Sequence, residues 1–245
     1  TEGKIIQMSS KAIAPDPNDE SVPSAAAVCL YPALVSTAKK TVKDSSVKVA
    51  SVSSYFPSGQ APIESKISDT KFAINEGADE IDIVINRKAF FEGDYKKVYE
   101  EIKSLKDVCG DIHLKTILEI GELKTYENIK KASVIALCAG SDFIKTSTGK
   151  ISNGSSREAC LVMARTVREF QSYGYGMRGI KVAGGIRSSK DAIRYLVIIN
   201  EELGSSWLSP DYFRFGASSL LDDVLRQIKK LKTNAYQSSY YFPRG

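Results

Sequence analysis

The sequence lacks the long apolar runs, paired cysteines and secretion signals that mark membrane and disulfide-rich proteins. Within its 245 residues no apolar run approaches the roughly 20 residues that a membrane helix needs. The N-terminus, TEGKIIQMSS, has neither the apolar core nor the cleavage site of a secretory signal. The four cysteines form no C-x-x-C pair. We therefore expect reduced thiols in a cytoplasmic protein without membrane contact.

Histidine is also scarce, because His113 is the only one in the chain, and this excludes a metal site with several histidine ligands. His113 lies where a strand is expected to begin, so we expect it to pack rather than to serve a Ser-His-Asp triad. Cys138, within ASVIALCAG, is expected to be buried. The 34 basic residues are interspersed with 29 acidic ones, for a net charge of +5. This mixing argues against a nucleic acid partner and is compatible with a small anionic substrate.

Short β-branched runs alternate with longer helical patterns, and the repeat of about 30 residues predicts βα units and a parallel sheet. The predicted strands are 26–32, 47–56, 80–86, 113–119, 142–148, 179–184 and 212–217. The predicted helices are 2–11, 33–43, 62–76, 94–109, 125–139, 156–173, 189–203 and 218–232. Ser155-x-x-Glu158 and Ser188-x-x-Asp191 match the capping-box pattern at helix starts.

Seven predicted strands preceded by a helix indicate a TIM (β/α)8 barrel whose first strand is missing from this sequence. An open doubly wound sheet is the alternative, although neither G-x-G-x-x-G nor G-x-x-x-x-G-K-[ST] occurs. We expect one barrel domain over 1–232, followed by a mobile tail over 233–245. A barrel without one strand leaves two unpaired edges, so we also expect the natural protein to extend upstream of Thr1.

Charged residues interrupt several of the apolar strands: Asp82, Lys115, Glu119, Lys145 and Lys181. A charge inside a barrel is costly unless it is paired, so a buried ion-pair network without catalysis is one interpretation. Amine catalysis is the other, since only a neutral lysine attacks a carbonyl and a second ammonium nearby lowers its pKa. A carboxylate beside the two lysines would then move protons.

Two glycine-containing loops follow the last two predicted strands and suggest a phosphate site. They contain Gly184 and Gly185 after one strand, and Gly216, Ser218 and Ser219 after the other. Glycines allow backbone N–H groups to approach an anion, and barrels often bind phosphate with these two loops.

The segments EIDIVIN, FIKTSTGK, KVAGGIRS and FRFGASSLL closely resemble the deoxyribose-phosphate aldolase family, class I aldolases with a β/α barrel fold. The match runs from about Thr1 to Lys232, and AAVCLYP, FPSGQ and LKTILEIGEL add to it. The resemblance implies reversible cleavage of 2-deoxy-D-ribose 5-phosphate to acetaldehyde and D-glyceraldehyde 3-phosphate, without metal or cofactor. It makes Lys145 the Schiff-base lysine, Lys181 the second active-site lysine and Asp82 the proton relay.

The resemblance also implies roles for residues around this set. It assigns phosphate contacts to Gly184, Gly185, Gly216, Ser218 and Ser219, and substrate contact to Lys150. Cys29, Thr148 and Lys115 are further candidates near the substrate. A tail tyrosine assists proton transfer in family members, and Tyr236, Tyr240 and Tyr241 are the candidates here.

This sequence departs from the family pattern in three places. Val182 replaces a proline, the family's first strand is absent, and the tail AYQSSYYFPRG does not align residue for residue. Two alternatives stay open: another Schiff-base barrel enzyme of the transaldolase type, and a catalytically weak homologue that acts as a binding or scaffold protein. We expect a small sugar phosphate as partner and a homo-oligomer as the assembly.

Overall fold

The computed structural model describes residues 1–152, 154–238 and 241–242, and these form a curled sheet of seven parallel strands with helices between them. The strands are β1 (Ala27–Leu30), β2 (Lys48–Val52), β3 (Glu80–Val84), β4 (His113–Ile117), β5 (Phe143–Lys145), β6 (Gly179–Ala183) and β7 (Phe213–Gly216). The sheet order equals the chain order. A doubly wound sheet reverses its strand order, so that alternative is wrong and the fold is of the TIM-barrel type.

Ten α-helices accompany the strands in the described residues. They are α1 (Glu2–Ile13), α2 (Val35–Val42), α3 (Ile63–Asn75), α4 (Arg87–Phe91), α5 (Tyr95–Cys109), α6 (Ile120–Leu123), α7 (Tyr126–Cys138), α8 (Arg157–Ser172), α9 (Ser189–Leu203) and α10 (Leu220–Thr233). Two single-turn 3-10 helices lie at Pro32–Leu34 and Ser205–Trp207. No helix of the described residues is long and apolar enough to cross a membrane.

Apart from the edge strands β1 and β7, the strands are largely buried on both faces, which explains their apolar runs. All five residues of β3 and all five of β6 are buried. Ile81, Ile83 and Ile180 have no exposed surface and belong to the hydrophobic core that the strands share with the surrounding helices. Because side chains alternate across a strand, the residues between these isoleucines face the inside of the curled sheet.

The predicted strands and long helices are confirmed, but every strand is shorter than predicted, and β2 ends at Val52 instead of residue 56. β5 ends at Lys145 instead of residue 148, because the hydroxyls of Thr146 and Ser147 bond to the carbonyl of Ala183 and Thr148 bonds to Glu119. The short helices α4 and α6 were not predicted, since one or two turns give too little periodicity.

The sheet has two open edges, β1 and β7, and within the described residues neither pairs with a further strand. A parallel barrel closes when its first and last strands pair. The expectation that another strand lies between them stays a prediction, as do the domain limits at 232.

Two local expectations are wrong. Ser156, not Ser155, caps α8 by accepting a hydrogen bond from the Ala159 N–H, whereas Ser188 caps α9 as predicted. Cys138 is exposed, because the buried face of α7 runs through Ile129, Ala132, Ser133, Ala136 and Leu137. His113 lies at the start of β4 as predicted, where its ring packs against Phe143 at 6.2 Å between ring centres, although its side chain is exposed.

Candidate active site

The charged residues of the strands converge inside the curled sheet. Strand register pairs Asp82 with Lys115 and Lys145 with Lys181 at the same level of neighbouring strands. Asp82 lies between Ile81 and Ile83, and Lys181 between Ile180 and Val182, which all belong to the core shared with the helices, so the charged side chains point inward. Because side chains alternate in direction along each strand, charges that are far apart in the sequence meet inside the sheet.

Asp82 holds both candidate catalytic lysines through a single oxygen, and we call these three residues the upper cluster. Lys145 Nζ lies 2.8 Å and Lys181 Nζ 2.7 Å from Asp82 Oδ2. Asp82 is fully buried, and Lys145 and Lys181 are only 4% and 7% exposed. The predicted association of two lysines with one carboxylate is therefore present in the geometry.

The upper cluster separates the pKa values of its two lysines. Burial lowers the pKa of Lys145, and the charge of Lys181 lowers it further, against the opposing effect of Asp82. Burial would also lower the pKa of Lys181, but its attraction to Asp82 outweighs this and raises it. Burial alone would raise the pKa of Asp82, yet Lys145, Lys181 and Lys115 hold it well below its usual range. Lys145 is thus the amine that loses its proton more easily.

A second set of charges adjoins the first, and we call Glu80, Lys115 and Arg214 the lower cluster, because Glu80 precedes Asp82 by two residues on β3. Lys115 Nζ is 2.6 Å from Glu80 Oε2, and Arg214 Nη2 is 3.0 Å from Glu80 Oε1. Lys115 Nζ also lies 3.3 Å from Asp82 Oδ1, although Oδ1 accepts no hydrogen bond from the described residues. Lys115, a candidate near the substrate, is fully buried and joins the two clusters.

The segment that follows β5 is fixed by a buried carboxylate. Thr148 donates from its hydroxyl to Glu119 Oε2 at 2.6 Å and from its amide to Oε1 at 3.2 Å. Glu119 has a φ of 58°, which is unusual for a residue with a side chain, and it is buried. Lys150 is exposed, and its side chain forms no ion pair within the described ranges. The ammonium of Lys150 is therefore available to an anion.

The predicted phosphate loops flank the end of β6. Gly184 and Gly185 both have positive φ, 93° and 83°, which glycine adopts without strain. A Cβ at Gly184 would lie 2.7 Å from Gly154 Cα, so this turn packs closely on the segment before α8. Ser218 and Ser219 are exposed directly before α10, and Ser219 makes no side-chain cap hydrogen bond. The hydroxyls of both serines are open to solvent.

The last candidates lie at the margin of the site or outside it. Cys29 is exposed on the edge strand β1, and its Sγ is 3.9 Å from Asp82 Oδ2. Tyr236 is exposed and accepts a hydrogen bond from Lys230 Nζ at 2.7 Å, away from the upper cluster. Tyr241 is half exposed, with Lys229 Nζ 6.0 Å from its ring centre. Tyr240 lies outside the described residues.

Among the surface cavities that the described residues form are the following two, and neither is lined by a residue of the upper cluster. The larger, about 660 Å³, lies on the helical surface among α3, α4 and α5. The smaller, about 120 Å³, borders Gly184 and Gly185 together with Ser155 and Tyr195. In the part of the chain that is described, no group of three His, Cys, Asp or Glu side chains could hold a metal ion.

Several residues around the site were not predicted from the sequence. Glu80 and Arg214 were missed, although Glu80 stands two residues before Asp82 and alternation puts both on one face. The hydroxyls of Thr146, Ser147, Ser155 and Tyr195 around the Gly184 turn were also missed. Their partners are backbone carbonyls or another hydroxyl, which leave no trace in the sequence.

The fold and the buried charges describe a β/α barrel protein with lysines at its strand ends, and the comparisons narrow this class. A sequence profile of the DeoC/LacD family aldolases matches residues 4–225. Human deoxyribose-phosphate aldolase is 46% identical over 220 residues, which are 89% of this chain and 69% of that protein. The chain belongs to the DeoC/LacD family of aldolases, which confirms the resemblance and makes it an enzyme of the aldehyde-lyase kind.

Solved structures agree with this assignment. An aldolase named QR15 is 28% identical with a TM-score of 0.76, and the alignment covers 94% of this chain and 92% of that one. A tetrameric deoxyribose phosphate aldolase from Aeropyrum pernix is 24% identical with a TM-score of 0.69, covering 96% of this chain and 86% of that one. The second likeness shows the shared fold alone.

Proposed function

We propose that the protein is a class I aldolase that reversibly cleaves 2-deoxy-D-ribose 5-phosphate to acetaldehyde and D-glyceraldehyde 3-phosphate. The observation that carries this proposal is the sharing of Asp82 Oδ2 by two buried lysines, of which Lys145 has the lowered pKa. The relatives named deoxyribose-phosphate aldolase support the choice of substrate.

Lys145 is the nucleophile in this proposal. Its neutral amine attacks the C1 aldehyde of the open-chain sugar, and loss of water from the carbinolamine gives an imine. When the C3 hydroxyl loses its proton, the C2–C3 bond breaks, and its electron pair moves into the protonated imine to form an enamine. D-glyceraldehyde 3-phosphate leaves. Protonation of the enamine at C2 and addition of water then release acetaldehyde and the free amine of Lys145.

Asp82 and Lys181 are the proton-handling pair. In the free enzyme Asp82 is a weak base, because three lysines stabilise its charge. A neutral carbinolamine at Lys145 removes one of these charges, so the pKa of Asp82 rises and the carboxylate accepts a proton more readily. Lys181, whose pKa is raised, keeps its charge beside Lys145 and so keeps the nucleophile's pKa low.

The 5-phosphate binds at the rim of the barrel in this proposal. Gly184 and Gly185 supply backbone N–H groups, Gly216 ends the neighbouring strand β7, and Ser218 and Ser219 lie in the loop after it. Lys150 supplies a charge from the segment after β5. Helix α10 begins at Leu220, and a helix N-terminus favours an anion.

Trapping of the imine tests the proposal. Incubation with 2-deoxyribose 5-phosphate and sodium borohydride, followed by peptide mass spectrometry, should give a reduced adduct on Lys145. Turnover should be followed in parallel with a coupled assay for glyceraldehyde 3-phosphate. An adduct on Lys181 or Lys115 would reassign the nucleophile. If the protein shows no turnover and forms no adduct, the scaffold alternative is favoured.

The proposal also includes the cellular location, the assembly and the cofactor requirement of the enzyme. The four cysteines are free, as expected for a cytoplasmic enzyme. The homo-oligomer expected from the sequence stays a prediction. The chemistry needs no metal or organic cofactor, because the protonated imine accepts the electron pair.

A further inference from the structure

Three hydroxyls on one side of β6 hold two successive backbone carbonyls. Ala183 O accepts hydrogen bonds from Ser147 Oγ at 2.5 Å and Thr146 Oγ1 at 3.0 Å. Gly184 O accepts a hydrogen bond from Ser155 Oγ at 2.5 Å. All three hydroxyls belong to the segment between β5 and α8, so both carbonyls point toward the β5 side of β6.

The direction of a carbonyl fixes the direction of the next amide. In a trans peptide the C=O and the following N–H point in opposite directions. The carbonyls of Ala183 and Gly184 therefore turn the N–H groups of Gly184 and Gly185 toward β7, where the Gly216–Ser219 loop lies. In a regular strand successive amides alternate, and the φ of 93° at Gly184 breaks this alternation. Two neighbouring N–H groups on one side form an anion-binding nest.

These two amides have no competing partner. Within the described residues neither the Gly184 N–H nor the Gly185 N–H donates a hydrogen bond. Gly185 is exposed, so its amide is accessible to a ligand.

The hydroxyl of Ser155 is oriented by a tyrosine of helix α9. Tyr195 OH donates to Ser155 Oγ at 3.2 Å, and Tyr195 is only 6% exposed. A hydroxyl that accepts from Tyr195 has its own proton free for Gly184 O. The cap of α8 is supplied by Ser156, so the side chain of Ser155 serves the glycine turn instead of the helix.

We propose that Ser155, supported by Tyr195, is a positioning residue for phosphate: it holds the Gly184 carbonyl so that the Gly184 and Gly185 amides face the 5-phosphate together. This inference rests on the proposed function for the identity of the phosphorylated substrate. Ser155 and Tyr195 do not contact the phosphate themselves in this inference. They set the preference for a phosphorylated over an unphosphorylated sugar by orienting the two glycine amides.

The test uses the full chain and four variants. Ser155→Ala removes the hydroxyl, Ser155→Thr restores one, and Tyr195→Phe removes only the supporting bond. Ser172→Ala is the matched control, because Ser172 Oγ donates to the carbonyl of Glu169 at the other end of α8. For each protein the kcat and KM for 2-deoxyribose 5-phosphate and for 2-deoxyribose are measured, and inorganic phosphate binding is measured by calorimetry.

Ser155→Ala should raise the KM for the phosphorylated sugar and the Kd of inorganic phosphate by about three- to tenfold, the scale of one hydrogen bond. Its kcat, and its activity on 2-deoxyribose, should stay within about twofold of wild type, well below the scale of one hydrogen bond. Ser155→Thr should recover most of the loss, and Ser172→Ala should change neither constant. Tyr195→Phe should give a smaller change in the same direction.

Equal losses on both sugars, or an unchanged phosphate affinity in Ser155→Ala, would overturn the inference. If Ser155→Ala does not fold, Tyr195→Phe must still weaken phosphate binding for the inference to stand. A wild-type protein that binds phosphate but does not cleave the sugar would refute the proposed function, and the binding measurements would then decide this inference separately.

Discussion

The upper and lower clusters each combine one carboxylate with two cations inside the barrel, but the cations are distributed differently over the two carboxylate oxygens. In the lower cluster Lys115 lies 2.6 Å from Glu80 Oε2, and Arg214 lies 3.0 Å from Oε1 with a longer contact of 3.5 Å to Oε2. In the upper cluster Lys145 and Lys181 compete for one oxygen of Asp82. In the lower arrangement the shortest contacts of the two cations go to different oxygens of Glu80, whereas the upper one leaves two ammonium groups close together on one oxygen. Lys145, which also loses hydration by burial, has the lowered pKa.

This difference separates a structural ion-pair network from a reactive one. Buried ion pairs in which every charge has its own partner are costly to break but have no reason to react. An excess of positive charge around one carboxylate favours loss of a proton from one lysine, which is what a nucleophilic amine requires. We therefore expect substitutions in the upper cluster to reduce activity and substitutions in the lower cluster to reduce stability.

The largest effect should follow Lys145→Arg. A guanidinium stays protonated and cannot form the imine, so kcat should fall by about 10⁴-fold or more, the scale seen when an enzyme loses its nucleophile. Lys66→Arg is the matched control, since Lys66 is also a buried lysine, paired with Glu101 at 2.7 Å outside the barrel. Initial rates with 2-deoxyribose 5-phosphate measure both variants. Substantial turnover by Lys145→Arg would move the nucleophile elsewhere.

The next largest effect should be a loss of stability when the lower cluster is changed by Lys115→Met. Lys115→Met leaves Glu80 and Asp82 with one cation fewer, and breaking a buried pair costs about 3–5 kcal/mol of unfolding free energy. Urea unfolding measures the loss. Adding Glu80→Gln should increase the loss, because Arg214 then loses the carboxylate that it contacts at 3.0 Å. A Lys115→Met protein as stable as wild type but inactive would instead assign Lys115 to the chemistry.

The candidate site was more predictable than its surroundings. Asp82, Lys145 and Lys181 could be found because each interrupts an apolar strand, and a buried charge is conspicuous in a sequence. The order of seven strands followed from the βα period in the same way. Sequence could not show that both lysines share one oxygen of Asp82 or that Lys115 lies between two carboxylates, since these depend on strand register.

A moderate effect is expected for Lys181→Leu, and it appears in the pH profile. The charge of Lys181 helps to lower the pKa of Lys145, so its removal raises that pKa. The acid limb of kcat/KM should then move to higher pH, and the rate at pH 7 should fall about tenfold when the limb moves by about one pH unit. Lys181→Arg keeps the charge and should keep the limb in place. An unmoved limb in Lys181→Leu would mean that burial alone sets the pKa of Lys145.

The candidate phosphate-binding loops could be predicted only from their content of glycine and serine, without the positions of their hydroxyls. The sequence placed Gly184 and Gly185 correctly after a strand, but Gly216, predicted to follow a strand, is the last residue of β7, and Ser155 was predicted to cap a helix that Ser156 caps. Either serine of the Ser155-Ser156 pair fits the helix start, and only the packing of Gly154 on Gly184 decides which hydroxyl turns to the β6 loop. Such choices depend on contacts between distant segments.

A smaller effect is expected at the rim, where charge is exposed and screened. Lys150→Ala should raise the KM for 2-deoxyribose 5-phosphate by about five- to tenfold and leave kcat nearly unchanged, because an exposed ammonium contributes about 1 kcal/mol to holding an anion. Lys190→Ala, at an exposed lysine early in α9, is the control. A loss in kcat with an unchanged KM would place Lys150 in the chemical step.

The smallest effect should follow Cys29→Ala. The thiol lies 3.9 Å from Asp82 Oδ2, and a thiol is a weak hydrogen-bond donor even at shorter distance. Asp82 keeps its two short contacts with Lys145 and Lys181 in this variant, so the upper cluster should be intact. We expect kcat and KM within about twofold of wild type, well under the tenfold that about 1.4 kcal/mol would produce. Cys138→Ala, at an exposed cysteine on α7, controls for loss of a surface thiol. A loss of tenfold or more in Cys29→Ala alone would add the thiol to the groups that tune Asp82.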